Sequence, residues 1–118
     1  KVWQNAVKFA KPWQTLWRHE EAAAAYGRMG GAYGQFRAAG EWLHAEEPAK
    51  AEPLYRVLLA AGEGGDAVKM NLALSLQRAG KTREALALYR AIAESGGPAS
   101  RAAEKAAGLL EDLLALSP

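Results

Sequence analysis

Residues 51–65 read AEPLYRVLLAAGEGG, and thirty-four positions after Ala51 the chain reads ALALYRAIAESGG. A recurrence over that distance constrains the fold more than any single motif, because a repeated unit buries its apolar face against its own copy. In the first copy Ala51, Leu54, Tyr55, Leu58 and Leu59 recur at steps of three and four, and in the second Ala85, Leu88, Tyr89, Ile92 and Ala93 do the same. That spacing puts each set on one helical face. Arg83, Glu84 and Arg90 fall on the opposite face of the second helix. Pro48 suits a first helical turn and Gly62 the position just past a last one.

The preceding helices correspond as well. Ala38, Ala39 and Trp42 stand 34 residues before Leu72, Ala73 and Leu76, and Gly30 and Gly31 stand 34 before Gly64 and Gly65. A third glycine pair, Gly96 and Gly97, arrives two positions early. Packing residues and turn residues therefore repeat together, and the unit is a helical hairpin. β-Branched residues are sparse and no period-two pattern persists, so the chain reads as all-α, with about six helices in a short solenoid of stacked antiparallel hairpins. The expected divisions are a divergent N-terminal cap over residues 1–31, repeats over 32–65 and 66–98, and a C-terminal capping helix over 99–118, all in one domain.

A 34-residue hairpin with Ala-x-x-x-Tyr on its second helix resembles the tetratricopeptide repeat, whose pattern runs W-x2-L-G-x2-Y, then A-x3-F, then P. Leu72, Ala73 and Leu76 take the Leu, small and Tyr positions, Gly80 the inter-helix turn, and Ala85 with Tyr89 the A-x3-F pair. Pro98 lies one residue beyond the usual proline. In the earlier copy Ala38, Ala39, Trp42, Ala51 and Tyr55 keep the pattern, but Glu46 replaces the turn glycine. Residues 101–116 carry Ala106, Ala107 and Leu110 in register. Residues 1–29 do not fit, since Trp17 falls where a small residue belongs and Glu21 where an aromatic belongs; one or two helices broken near Lys11 and Pro12 are expected there. The stretches from Gly64 to Arg90 and from Arg101 to Leu113 are also similar to helical-repeat proteins of cyanobacteria and plastids linked to thylakoid assembly.

Little in the sequence points to catalysis. Cysteine is absent, which removes disulfides, thiolate metal sites and cysteine nucleophiles. His19 and His44 show no metal-ligand spacing, and the Gly62–Gly65 cluster lacks the strand and the Lys-Ser/Thr that a phosphate loop requires. The reading is a non-enzyme with no cofactor or metal. The 15 Lys and Arg against 13 Asp and Glu give a net charge of +2, too slight a footprint to imply nucleic acid. No apolar run exceeds five residues, against the roughly 20 that a membrane-spanning helix needs. A soluble setting follows, cytoplasmic first, with the plastid stroma or a membrane periphery implied by the finer resemblance. The small residues Ala23, Gly27, Gly31, Gly34 and Ala38 suit close helix packing with a turn at Gly30 and Gly31.

In the resembled family the first helices of successive hairpins line a concave groove for a peptide or partner helix. Carrying that register over places Tyr33, Phe36, Arg37, Gly40, Leu43 and His44 on one wall, Met70, Asn71, Leu74 and Arg78 on the next, and Arg101 and Lys105 on a third. Some members clamp a peptide's C-terminal carboxylate with two basic residues four apart and an Asn on the preceding wall, as Arg101, Lys105 and Asn71 would; Phe36 and Gly40 depart from that pattern. The implied partner is a protein or peptide, acidic or C-terminal, in a scaffold or adaptor role. The alternative is an assembly factor docked on a membrane through Trp3, Trp13 and Trp17 among the neighbouring lysines, a cluster that equally suits an end cap. The assignment of faces expects Leu88→Ala to cost about 2 to 5 kcal/mol and Arg83→Ala almost nothing.

Overall fold

The computed structural model describes residues 12–116, with side chains from Arg18 onward. Six helices follow in order: α1 Pro12–Met29, α2 Gly31–His44, α3 Pro48–Ala60, α4 Gly65–Arg78, α5 Thr82–Glu94 and α6 Ser100–Leu116. Among the described residues there is no strand, and no helix is long and apolar enough to cross a membrane. Each helix packs on the next, and α2 also touches α4 sparsely. The chain is thus an all-α stack of helical hairpins. Its radius of gyration is 16.2 Å, against about 13.5 Å for a compact domain of this length.

The backbone keeps the 34-residue period. Both α2 and α4 have 14 residues, and both α3 and α5 have 13. Every boundary moves by the same step, from 31 to 65, 44 to 78, 48 to 82 and 60 to 94. The helix ends explain why. At the end of α4 the amides of Ala79, Gly80 and Lys81 donate to the carbonyls of Ser75, Gln77 and Leu76; at the end of α2 those of Ala45, Glu46 and Glu47 donate to Glu41, Leu43 and Trp42. This closure needs one left-handed residue. Gly80 supplies it at φ 83° and Glu46 at φ 59°, the one non-glycine with positive φ among the described residues. The absent turn glycine therefore changes the residue and not the geometry.

Small residues bring the helices together. Ala39, Ala51, Ala73, Ala85 and Ala103 are wholly buried, and Tyr55, Leu72, Leu76, Tyr89, Ile92 and Leu110 fill the space around them. Tyr55 and Tyr89 occupy the same core at equivalent places of the two hairpins. Gly34 is buried because a Cβ there would stand 2.6 Å from the carbonyl oxygen of Tyr26, so α1 and α2 meet at backbone distance. Ala23 and Ala38 are buried in keeping with that close approach, whereas Gly27 is exposed and takes no part in it. Leu88 is half-buried at the core's edge, while Leu86, outside the expected set, is buried. Trp42 is also half-buried, with the Lys50 ammonium 4.5 Å from its ring centre. The described part of α1 begins at Pro12.

On the back of the stack Glu52 meets Arg56 at 2.9 Å and Lys81 at 3.1 Å, and Arg90 meets Glu111 at 2.8 Å. These pairs tie α3 to the following hairpin and α5 to α6. The Arg56 hydrogen bond holds the Glu52 carboxyl below its ordinary pKa, with Lys81 adding to it. Exposed pairs of this kind contribute at most about 1 kcal/mol each, so the buried apolar core dominates.

Two measurements of urea unfolding test this account. Leu72→Ala should cost about 2 to 5 kcal/mol and Leu109→Ala, at an exposed position, less than about 0.5 kcal/mol. Glu46→Gly should stabilise the chain by up to about 1 kcal/mol by relieving a left-handed residue, while Gly80→Ala should destabilise it by about 1 to 2 kcal/mol.

Candidate functional site

Because α2 and α4 touch only sparsely, the space between them stays open at two places. The larger set of polar groups lines a cleft of about 350 Å³ formed by Phe36, Arg37, Gly40, Glu41, Leu43, His44, Tyr55, Asn71, Leu74 and Arg78. A second cleft of about 400 Å³ lies among Ala32, Tyr33, Phe36, Leu58, Glu63, Gly64, Ala67 and Val68. Phe36 belongs to both, so they are successive parts of one groove.

Of the residues expected to line a groove, Phe36, Arg37, Leu43, His44, Asn71, Leu74 and Arg78 meet in the first cleft, and Tyr33 stands in the second. Met70 packs half-buried against the core instead. Arg101 and Lys105 are exposed on α6 and line neither cleft. Trp3 lies outside the described residues; Trp13 and Trp17 fall on α1, but their side chains are outside the described part.

The cleft's floor and rim differ in chemistry. Phe36 meets Tyr55 edge to face, with ring centres 6.1 Å apart, and Leu43 and Leu74 complete an apolar surface. The rim is basic. Arg37 donates from Nη1 to the Tyr33 hydroxyl at 2.9 Å and lies 4.8 Å from the centre of the Tyr26 ring. That hydrogen bond, followed by the two tyrosines' electrostatics, raises its pKa further, so its charge is permanent. Arg78 reaches from α4 to donate to the Leu43 carbonyl at 3.3 Å, an oxygen at the end of α2 that also accepts from the Glu46 amide. Beside it, His19 Nδ1 and Glu41 Oε2 are 2.6 Å apart, and the His44 ring is centred 5.7 Å from that of His19.

One polar atom is left over. Tyr55 is fully buried, yet among the described residues its hydroxyl has no hydrogen-bond partner. Burial pushes its pKa up to about 12; Asn71 approaches the same oxygen and draws the value partly back without closing a well-formed hydrogen bond. The second hairpin shows the reason. There Tyr89 donates to Gln77 Oε1 at 3.1 Å, and thirty-four residues before Gln77 stands Leu43, which has nothing to accept with. The orphaned hydroxyl thus lies at the base of the cleft between Asn71 and an apolar wall.

Compared with protein-family models, curated proteins and solved structures, the chain matches none of them. The site's own geometry carries the functional argument.

The tyrosine makes a prediction in pH. Its folded pKa lies above the ordinary 10.0, so its contribution to stability is complete below pH 10 and fades as pH rises from 10 towards 12, where the unfolded chain loses the phenolic proton first. Tyr89 is raised in the same direction by burial, against Arg78. In Tyr55→Phe, urea unfolding at pH 7 should show equal or greater stability, because an unsatisfied polar group costs about 1 to 3 kcal/mol when buried. The decline above pH 10 should be shallower than in the parent chain.

Proposed function

We propose that the chain is a protein-interaction module of the tetratricopeptide type, holding an acidic or C-terminal peptide in the groove between α2 and α4. The observation that carries this reading is the buried Tyr55 hydroxyl without a partner at the base of a cleft that also holds Asn71, with Arg37, His44 and Arg78 around it. Buried polar groups are normally paired, and an unpaired one at the base of a cleft can donate to a ligand that moves the side chains covering it. A carboxylate accepts from a phenol, an amide and a guanidinium together, and such charge-assisted bonds are the stronger class. Phe36, Leu43 and Leu74 receive the apolar side chains next to that carboxylate. A ligand continuing past Phe36 enters the second cleft at Tyr33. Arg101 and Lys105 extend the basic character onto α6 and act on the ligand from a distance. The period, the glycine turns and the alanine positions support the family reading, and the scaffold or adaptor role follows from binding without catalytic machinery.

Selection of random peptides with free C-termini against the chain should enrich sequences that pair a carboxylate with neighbouring apolar residues. Calorimetry with an enriched peptide should show a weakening of about tenfold or more for Arg78→Glu and for Tyr55→Phe, because each removes a donor to a charged acceptor. Arg101→Glu with Lys105→Glu should weaken binding less, and only at low salt. Enrichment of peptides without acidic groups, or affinity unchanged by Arg78→Glu, overturns the reading.

A further inference from the structure

His19, Glu41 and His44 cluster at the edge of the first cleft. Each offers one ligand atom, and the three atoms lie within 4.8 Å of one another. We propose that these residues bind a divalent transition metal of the zinc class and so clip α1 to α2. The inference does not depend on what fills the groove.

Sequence position alone conceals the cluster. Glu41 and His44 are three apart on α2, which places both side chains on one face of the helix, a spacing that helix bundles use to present a carboxylate and an imidazole to one ion. His19 comes from α1, and the close approach at Gly34 brings that helix within reach. Two imidazoles with one carboxylate suit a borderline metal such as Zn²⁺, whereas Mg²⁺ and Ca²⁺ prefer oxygen ligands throughout.

The distances need only a small adjustment. Ligand atoms around a tetrahedral zinc stand about 3.3 Å apart. The His19 Nδ1 to Glu41 Oε2 pair opens slightly from 2.6 Å as its shared proton gives way to the ion, and His44, exposed and at the end of its helix, closes from its present place by side-chain rotation. Neither movement disturbs the core, because His19 and Glu41 are partly exposed and none of the three is wholly buried.

Three protein ligands leave at least one coordination position open, which water or an incoming carboxylate takes. Glu41 and His44 line the first cleft, so the ion would stand at its edge. It would also add to the attachment of α1 on α2, to which Ala23 contributes a buried side chain and Gly34 a close backbone approach. Binding to the folded arrangement stabilises it by mass action.

The test uses the full chain without an affinity tag. Calorimetry with Zn²⁺ alone should show one ion per chain, Mg²⁺ should show none, and Co²⁺ should give the visible absorption of a site with nitrogen and oxygen ligands in low coordination. His19→Gln and His44→Gln should each weaken Zn²⁺ by more than about tenfold, a loss at least as large as that for removing an outer-sphere partner. Zinc should slow amide exchange in α1, and His19→Cys, which keeps a ligand at that position, should retain binding. Absence of a one-to-one site, or affinity that survives both Gln variants while circular dichroism shows them folded, overturns the proposal.

Discussion

The closeness with which the helices cross rests on alanine at the contact points, and the groove, the turns and the register all depend on it. Ala39 and Ala51 in one hairpin, and Ala73 and Ala85 in the next, have no exposed surface. A methyl side chain on both helices lets their axes approach to the short end of the usual 8 to 10 Å. A larger residue at any of these positions would push the hairpin open and displace Tyr55 or Tyr89 from the core. All four positions follow the 34-residue step, so each hairpin presents an alanine contact like the one that it received.

A repeat of this kind builds a scaffold; differences between its copies make a site. Tyr89 has Gln77 to accept its proton, whereas Tyr55 faces Leu43 and has none. Leu74 contributes apolar surface, while thirty-four residues earlier Gly40 leaves space, and a Cβ there would come within 3.9 Å of the Tyr55 hydroxyl. The first hairpin is therefore both emptier and less well satisfied than the second at corresponding points. Substituting a polar partner by leucine leaves a buried donor at a cost in stability, and a ligand that accepts from Tyr55 recovers that free energy only when it binds.

Much of the architecture was legible in the residues because period, turn glycines and alanines report the same hairpin independently. The residues placed on α2 and α4 came from the register of the resembled family, and all but Met70 line the two clefts. What failed did so for a physical reason. Leu86 is buried and Leu88 only half-buried, so the covered arc of α5 is wider than one strict stripe. Arg101 and Lys105, carried over from the register of the resembled family, line neither cleft. The cluster of His19, Glu41 and His44 was hidden because α1 stands outside the repeat register, so no spacing rule connects residue 19 with residue 41. The Glu41 and His44 pair, three apart on one helix, was the available signal.

The placement of the polar groups also bears on the peptide binding proposed for the groove. Immobilising a long side chain on binding costs about 0.5 to 1.5 kcal/mol, and arginine is among the more expensive. Here the cost is reduced in the free chain: Arg37 is already held by the Tyr33 hydroxyl and the Tyr26 ring, and Arg78 by the Leu43 carbonyl. The walls themselves are the two helices that each pack against three others, α2 on α1, α3 and α4, and α4 on α2, α3 and α5. Rigid elements hold ligand-binding groups more accurately than loops do. Terminal helices with fewer neighbours could carry the same residues with far less precision, and for that reason the difference between Leu43 and Gln77 matters most where it stands, on the inner wall of the first hairpin.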